Sequence, residues 1–260
     1  MDERLKKIKC FLLDMDGTIY LENEVFEGAR EAVERMRAQA RVLFLTNNCS
    51  SSRDDYLRKL NRLGFDAKKE DIFTAGNATV EFLTRNYKDK RVFLFGTPSL
   101  FDEFHDAGIN TVEENPDLVV LSFDIFFDYP RLEKLCRFIR EGVPYIATHP
   151  DINCPTAYGY KPDVGSFIAL VEKSTGVSPL LVCGKPNRPI GESIERLLGL
   201  KSEQIAMFGD RLATDIRFAI NNKFLSCFVL SGEGTVDEAK KTGIYDDIDI
   251  ILPSIAHWDK

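Results

Sequence analysis

The 260-residue sequence predicts an α/β protein built on parallel sheets with helices on both faces. Two observations carry that prediction. Its strand candidates are short, continuously apolar runs rather than alternating ones, which is how a strand buried on both faces reads. They alternate with helical patterns from one end of the chain to the other, which is the βαβ signature of a doubly wound sheet. Length adds a bound: at about 150 residues per domain, the chain corresponds to roughly 1.7 domains.

The elements follow in order. Ile8–Leu13 is the first buried strand. Gly28–Ala40 is a helix because Ala29, Ala32, Val33 and Met36 recur on one face. Arg41–Leu45 is a strand, and Ser51–Leu63 a helix with Ser and Asp at its start and Gly64 just past its end. The middle of the chain repeats the theme, with strands at Arg91–Phe95, Leu118–Phe123 and Val143–Ala147. Helices there lie near Asn77–Asn86, Leu100–Ala107, Tyr129–Glu141 and Val164–Thr175. A strand at Leu180–Cys183, a helix at Pro189–Leu198, a strand at Ile205–Phe208 and a helix at Thr214–Asn222 come next. A strand at Phe224–Leu230, a short helix near Thr235–Lys241 and a strand near Ile248–Leu252 complete the pattern. There is no repeat of fixed period and no low-complexity linker, so any domain boundary lies inside the alternation.

Composition narrows the function. With 44% hydrophobic and 29% charged residues the chain is of ordinary globular type. Lys and Arg number 34 against 41 Asp and Glu, a formal net charge of -7, which lacks the electrostatic footprint of a general nucleic-acid binder. An anionic small molecule is still admissible, because local charge can oppose the net. The longest apolar run, Phe167–Val171, is far short of the about twenty residues a membrane span needs. The polar start, Met1 to Lys7, has no secretory pattern. Six cysteines form no CxxC pair and read as free thiols of a reducing cytoplasm, with Cys49 and Cys183 packed near polar motifs. His105, His149 and His257 are too scattered for a soft metal site.

Open parallel sheets bind ligands at the carboxyl ends of their strands, so the chemistry is sought there. The first strand ends in Asp14-Met15-Asp16-Gly17-Thr18. An ionised Asp is an oxygen nucleophile toward phosphorus, and a carboxyl two residues on can act as general acid and then base. The glycine lets the backbone turn and approach a ligand. The second strand ends in Thr46-Asn47-Asn48, whose hydroxyl and free N–H suit a phosphoryl oxygen, although the same tripeptide also serves as an ordinary turn. Gly184-Lys185-Pro186 follows Leu180–Cys183 and offers a positive charge. Gly209-Asp210 ends Ile205–Phe208, and Asp215 falls about one helical turn later, so both carboxylates can face one pocket. If these motifs converge, Asp14, Asp16, Asp210 and Asp215 would repel one another and resist ionisation. A hard divalent cation together with Lys185 would relieve that repulsion, and oxygen-only ligands favour Mg²⁺.

In this order, DxDGT at 14–18, Thr46, Lys185 and GDxxxxD at 209–215, the set resembles the haloacid-dehalogenase-like (HAD) phosphohydrolase superfamily. The surroundings of Thr46 and Lys185 resemble its NagD / 4-nitrophenylphosphatase-like branch. The resemblance implies a Rossmann-like core and an Mg²⁺-dependent phosphatase acting on small phosphate monoesters through an aspartyl-phosphate. It implies Asp14 as nucleophile and metal ligand, and Asp16 as acid/base with its backbone carbonyl on the metal. Thr46 and Lys185 would bind the phosphoryl group, Asn47 would add its backbone N–H, Asp210 would bind the metal and Asp215 would support it. Between Thr18 and Thr46 there is room only for a flap, a helix and a strand, whereas 47–184 exceeds any single crossover. An α/β domain of about 100 residues is therefore inserted there, which the resemblance makes a type IIA cap. The expected division is core 1–78, cap 79–181 and core 182–260. Such a cap excludes water and selects the leaving group.

Within the cap, Thr148-His149-Pro150-Asp151-Ile152-Asn153-Cys154-Pro155 reads as a specificity loop, with His149 where related caps often carry Asn. Asp151, Asn153 and Asp124 are further specificity candidates, and Tyr158, Tyr160 and Lys161 read as rim residues. The competing function is a non-catalytic aspartyl-phosphate signalling switch, which also combines acidic residues, Thr, Lys and Mg²⁺. Its domains are about half this length, with neither an inserted cap nor a need for Asp16. Asp16 also disfavours dehalogenase and ATPase chemistry, and the missing cap between the first two motifs disfavours the common sugar phosphomutases. The chain is expected to be a cytoplasmic monomer or homodimer with no nucleic-acid or membrane partner.

Overall fold

The structure, a computed structural model, describes residues 2–156 and 159–260. Its first part contains β1 (Cys10–Leu13), β2 (Tyr20–Leu21), β3 (Glu24–Val25), α1 (Ala29–Gln39), β4 (Arg41–Thr46), α2 (Arg53–Arg62) and β5 (Ile72–Thr74). There follow α3 (Ala75–Asn86), β6 (Arg91–Phe95), α4 (Pro98–Asp106), β7 (Asn110–Thr111), β8 (Leu118–Leu121), α5 (Tyr129–Arg140), β9 (Tyr145–Ala147), β10 (Asn153–Thr156), β11 (Gly159–Pro162), α6 (Val164–Thr175) and β12 (Leu181–Val182). The last part holds α7 (Arg188–Leu198), β13 (Ile205–Gly209), α8 (Arg217–Asn222), β14 (Leu225–Val229), α9 (Val236–Thr242) and β15 (Ile250–Leu252).

The chain divides into two compact units. One comprises residues 1–46, 53–73 and 185–260; the other comprises 47–52 and 74–184. The interval 79–181 lies within the longer segment of the second unit, which also takes in the short stretch after Thr46.

The first unit is organised by a six-stranded sheet in the order β15-β14-β13-β1-β4-β5. β1 pairs in parallel with β13 on one side, Leu13 opposite Phe208, and with β4 on the other, Leu13 opposite Phe44. β13, β14 and β15 continue the parallel pairing. The chain leaves β1 toward β4 and β5, then returns to build outward from β13. The order therefore reverses at the β1/β13 boundary, where open α/β sheets form their ligand crevice. Every residue of β1 and β13 is buried, which is why both read as unbroken apolar runs. Beneath the sheet, Phe11 packs edge-on against Phe208 and Trp258, with ring centroids 6.0 and 5.1 Å apart.

The second unit has its own parallel sheet, in the order β12-β9-β8-β6-β7. One side of it packs Phe93, Phe95 and Leu121 against Phe138 of α5 and Val164 of α6. The other side packs Leu94 and Val120 with Leu100 and Phe104 of α4. β2 pairs with β3, and β10 with β11, in antiparallel fashion.

The sequence pattern and the structure differ at one element near the site. Instead of a single helix over 214–222, residues Leu212–Ile216 form a π-helical turn and α8 begins at Arg217. The wider turn lets the Arg211 N–H reach back to the Asp215 side chain at 3.1 Å. π-helical turns of this kind concentrate at functional sites.

Candidate active site

The site in the first unit grows from the ends of β1 and β13. Asp14 follows β1, and its N–H donates to the Phe208 carbonyl at 2.9 Å, extending the ladder one step past the strand. Asp210 follows β13. Its Oδ2 accepts the Glu233 N–H at 2.8 Å, and its Oδ1 lies 3.4 Å from the Thr18 hydroxyl. Glycines shape the space around it. A Cβ on Gly17, whose φ is +94°, would lie 2.4 Å from Asp210, and one on Gly232 would lie 1.9 Å from it. Neither position admits a side chain without displacing that carboxylate.

Lys185 joins this cluster. Its Nζ is 2.6 Å from Asp14 Oδ1, 2.7 Å from Asp215 Oδ1 and 3.5 Å from the Leu45 carbonyl at the end of β4. The Lys185 side chain is 3% exposed and that of Asp215 1%. Asp215 spends Oδ1 on Lys185 and Oδ2 on the Arg211 N–H, so both its oxygens are engaged. Single oxygens of Asp14, Asp210 and Asp215 lie within 4.8 Å of one another, a spacing and donor type suited to a hard cation.

The electrostatics follow from burial and crowding. Burial, then the charges of Asp215 and Asp210, push the Asp14 carboxyl well above its ordinary range, while Lys185 pulls the other way. Burial and the Asp215 charge raise Asp210 to about 7. Burial works to lower the Lys185 amine, but the Asp14 and Asp215 carboxylates override it, so the amine stays protonated. The cluster thus carries more negative charge than one ammonium balances, which a bound cation would correct.

Asp16 stands apart from that knot. Its side chain is 43% exposed, and its Oδ1 lies 3.5 Å from Lys59 Nζ of α2. Burial raises its pKa, Lys59 opposes the shift, and the partial exposure tempers both. Thr46 is the last residue of β4 and is buried, one residue beyond the Leu45 carbonyl that Lys185 reaches.

The remaining sequence candidates lie in the second unit. The Asn47 amide sits 3.3 Å from both Asp151 carboxylate oxygens. His149 is fully buried, with Nδ1 3.9 Å from Asp151 and Nε2 3.5 Å from Asp163, and neither ring nitrogen has a hydrogen-bond partner. Asp124 is buried and accepts the Phe126 N–H at 2.7 Å, closing a local turn. Asn153 is exposed at the start of β10, Tyr160 and Lys161 lie on β11, and Tyr158 falls outside the described residues.

Lys59 and the loop Ser231-Gly232-Glu233-Gly234 are absent from the sequence candidates, and Thr18 is there only as the close of the DxDGT motif. That loop follows β14, and the rule that ligands gather at strand ends would have found it. Lys59 gave no such signal, because a lysine within a helix reads as a solvated residue.

Comparison with known proteins now decides the family. Residues 11–110 match the haloacid dehalogenase-like hydrolase family and residues 182–258 the HAD-hydrolase-like family. A 4-nitrophenylphosphatase from Thermotoga maritima is 41% identical, superposes with a TM-score of 0.93, and the match covers 98% of this chain and 97% of that one. The chain belongs to the haloacid dehalogenase-like hydrolase family. NagD from E. coli K-12 is 28% identical with a TM-score of 0.89, over 97% of this chain and 98% of its own. An acid sugar phosphatase of Staphylococcus aureus is 29% identical over 242 residues, 92% of this chain and 93% of that protein. These relatives place this HAD hydrolase in the NagD-like branch, whose members carry a type IIA cap. Among the described residues no helix is long and apolar enough to cross a membrane.

Proposed function

We propose that this HAD hydrolase, a phosphoric monoester hydrolase, is an Mg²⁺-dependent phosphatase of small-molecule esters acting through an aspartyl-phosphate on Asp14. Esters of the 4-nitrophenyl phosphate, nucleoside monophosphate and sugar phosphate types fit the reading. The observation that carries it is the Lys185 ammonium held between Asp14 and Asp215, 2.6 and 2.7 Å away, with Asp210 alongside. A lone nucleophilic carboxylate at that point would be repelled by its neighbours and by an anionic substrate. Lys185 and a divalent cation remove that obstacle.

Asp14, Asp210 and the backbone carbonyl of Asp16 would hold Mg²⁺, with Asp215 in support. When bound, the ion supplies charge neutralisation for the transferring phosphoryl group. Asp14 attacks phosphorus, forming the Asp14–phosphorus bond as the ester phosphorus–oxygen bond breaks. Asp16 gives its proton to the departing oxygen. In the second half, Asp16 takes a proton from water as water oxygen bonds to phosphorus, and Asp14 is released with inorganic phosphate. Lys185, Thr46 and the Asn47 N–H would bind the phosphoryl oxygens, Lys185 keeping Asp14 in line.

Leaving-group choice falls to the second unit, with His149, Asp151, Asn153 and Asp124 as its candidate residues. Asn153 is the exposed one, while buried His149 would act through Asp151 and Asp163. No disulfide joins the six cysteines, and all but Cys154 are buried, which supports a reducing, cytoplasmic setting.

The test is phosphate release from 4-nitrophenyl phosphate and a metabolite panel with Mg²⁺ present. Wild type should turn over and Asp14→Ala should not. Turnover by Asp14→Ala would overturn the mechanism, and a phospho-adduct lasting hours without phosphate release would favour the signalling switch.

A further inference from the structure

The acid/base role asks more of Asp16 than the loop it sits on provides. Its carboxyl must meet the departing oxygen and later a water, yet it lies past the end of β1, beside Gly17 at φ +94°, and is 43% exposed. Nothing in the buried knot of Lys185, Asp14 and Asp215 fixes it. The ammonium that does reach it is Lys59, which arrives from a different element, α2, on its own apolar anchors Tyr56 and Leu60.

Lys59 is itself located. Its Nζ lies 4.0 Å from the centroid of the Tyr20 ring, in cation–π range. Tyr20 is fully buried, and its carbonyl accepts the Gly17 N–H at 2.8 Å, so it belongs to the same turn as Asp16. The ring and Asp16 Oδ1 therefore grip one ammonium from two sides. Tyr20 offers its ring face to Lys59, and its buried hydroxyl works with Lys59 to hold the Asp16 carboxyl charged.

A partly exposed ion pair contributes little to folding, about 0–1 kcal/mol. Its value lies in geometry, because a misplacement of about 1 Å at a reacting group can cost roughly a hundredfold in rate. We propose that Lys59 is a positioning residue for the Asp16 acid/base: braced on the Tyr20 ring, it holds the Asp16 carboxyl through Oδ1 where the leaving oxygen is protonated. Lys59 moves no proton itself. The proposal rests on the phosphatase reading above, and it makes a distinct demand on leaving groups. A nitrophenolate departs with little help from an acid, whereas an alkoxide needs its proton. Losing the hold on Asp16 should therefore penalise alkyl esters and largely spare aryl ones.

The experiment measures kcat/KM, which reports the first phosphoryl transfer, for 4-nitrophenyl phosphate and for glycerol phosphate, with Mg²⁺ present. Wild type is compared with Lys59→Met, Lys59→Gln, Lys59→Arg, Asp16→Asn and the double variant Asp16→Asn/Lys59→Met, each checked for native circular dichroism. Lys59→Met and Lys59→Gln should fall by less than about 3-fold on the aryl ester and by about 30- to 100-fold on glycerol phosphate. Lys59→Arg should recover most of the alkyl activity. Lys59→Met should add no further loss in the Asp16→Asn background, as expected of residues that act as a unit. Equal losses on both esters, an undiminished Lys59→Met, or additive losses in the double variant would overturn the inference and leave the phosphatase reading standing. A wild type inactive on both esters, or an Asp16→Asn variant of full activity on glycerol phosphate, would overturn both.

Discussion

Stripping divalent cations from the protein and raising the pH should destabilise it, in a window that the carboxylate cluster sets. Asp210 is held at about 7 in the fold against 3.8 for an unperturbed aspartate. Between those values the folded protein keeps a proton that the unfolded chain has released. The Asp210 contribution to stability therefore falls as pH rises from about 4 to about 7 and levels off above. At about 1.4 kcal/mol per pKa unit, the displacement amounts to on the order of 4 kcal/mol. Asp14 is displaced in the same direction, by burial and then by the Asp215 and Asp210 charges. These carboxylates titrate as a set, so the calorimetric or urea curve reports their joint behaviour rather than any one residue's. The assay is urea unfolding in chelator at pH 5 to 8, followed by the fluorescence of Trp258, the single tryptophan and 2% exposed. Asp210→Asn should flatten the curve and be about 2–4 kcal/mol more stable than wild type at pH 8 without metal. If Mg²⁺ occupies the proposed site it should stabilise wild type more at pH 8 than at pH 5, because its ligands there would be the ionised carboxylates. Metal-free stability that is level or rising from pH 5 to 8, with Asp210→Asn no more stable, would refute the reasoning.

Further outcomes follow from the same geometry. Lys185→Met leaves two buried carboxylates without their cation, so it should cost about 3–5 kcal/mol at pH 8 in chelator and less at pH 5; urea midpoints at both pH values check this. Gly232→Ala puts a methyl 1.9 Å from Asp210 Oδ2, so calorimetric titration should show Mg²⁺ affinity falling at least about tenfold. Phe11→Ala removes a fully buried ring from its edge-on contacts with Phe208 and Trp258 and should cost about 3–5 kcal/mol in urea unfolding, whereas a loss under about 1 kcal/mol would contradict the packing. Asp117 is held down at about 2 by hydrogen bonds to Arg91, so its contribution is present above pH 3.8 and lost as pH falls through 2; carbon NMR of its carboxyl should show that titration.

The strands that carry the chemistry were legible because their burial is total. β1 and β13 are buried at every residue, so Ile8–Leu13 and Ile205–Phe208 read as apolar runs, followed at once by Asp14 and, one glycine later, by Asp210. The short or half-wet elements were not. β5 and β7 span only Ile72–Thr74 and Asn110–Thr111, too brief for any periodicity, and β11 is a short segment exposed at three of its four residues. The sequence pattern gives one helix over 214–222 because apolar periodicity does not distinguish the π turn at Leu212–Ile216 from the α-helix that follows it. His149 looked like a loop residue in Thr-His-Pro-Asp, yet it is wholly buried beside Asp151 and Asp163. Such burial is a tertiary outcome, as is the ion pair by which Lys59 of α2 meets Asp16.

The division of the chain also matters to anyone who would rebuild this enzyme by exchanging its second unit. That unit is encoded in separate pieces, 47–52 and 74–184, so a graft has to be sutured at the 46–47, 52–53, 73–74 and 184–185 peptides. The outermost sutures abut Thr46 and Lys185 directly, with no spacer to absorb a mismatched splice. A transplant is therefore expected to keep its native partner residues on both sides of those joints, or to blunt catalysis even when each half folds.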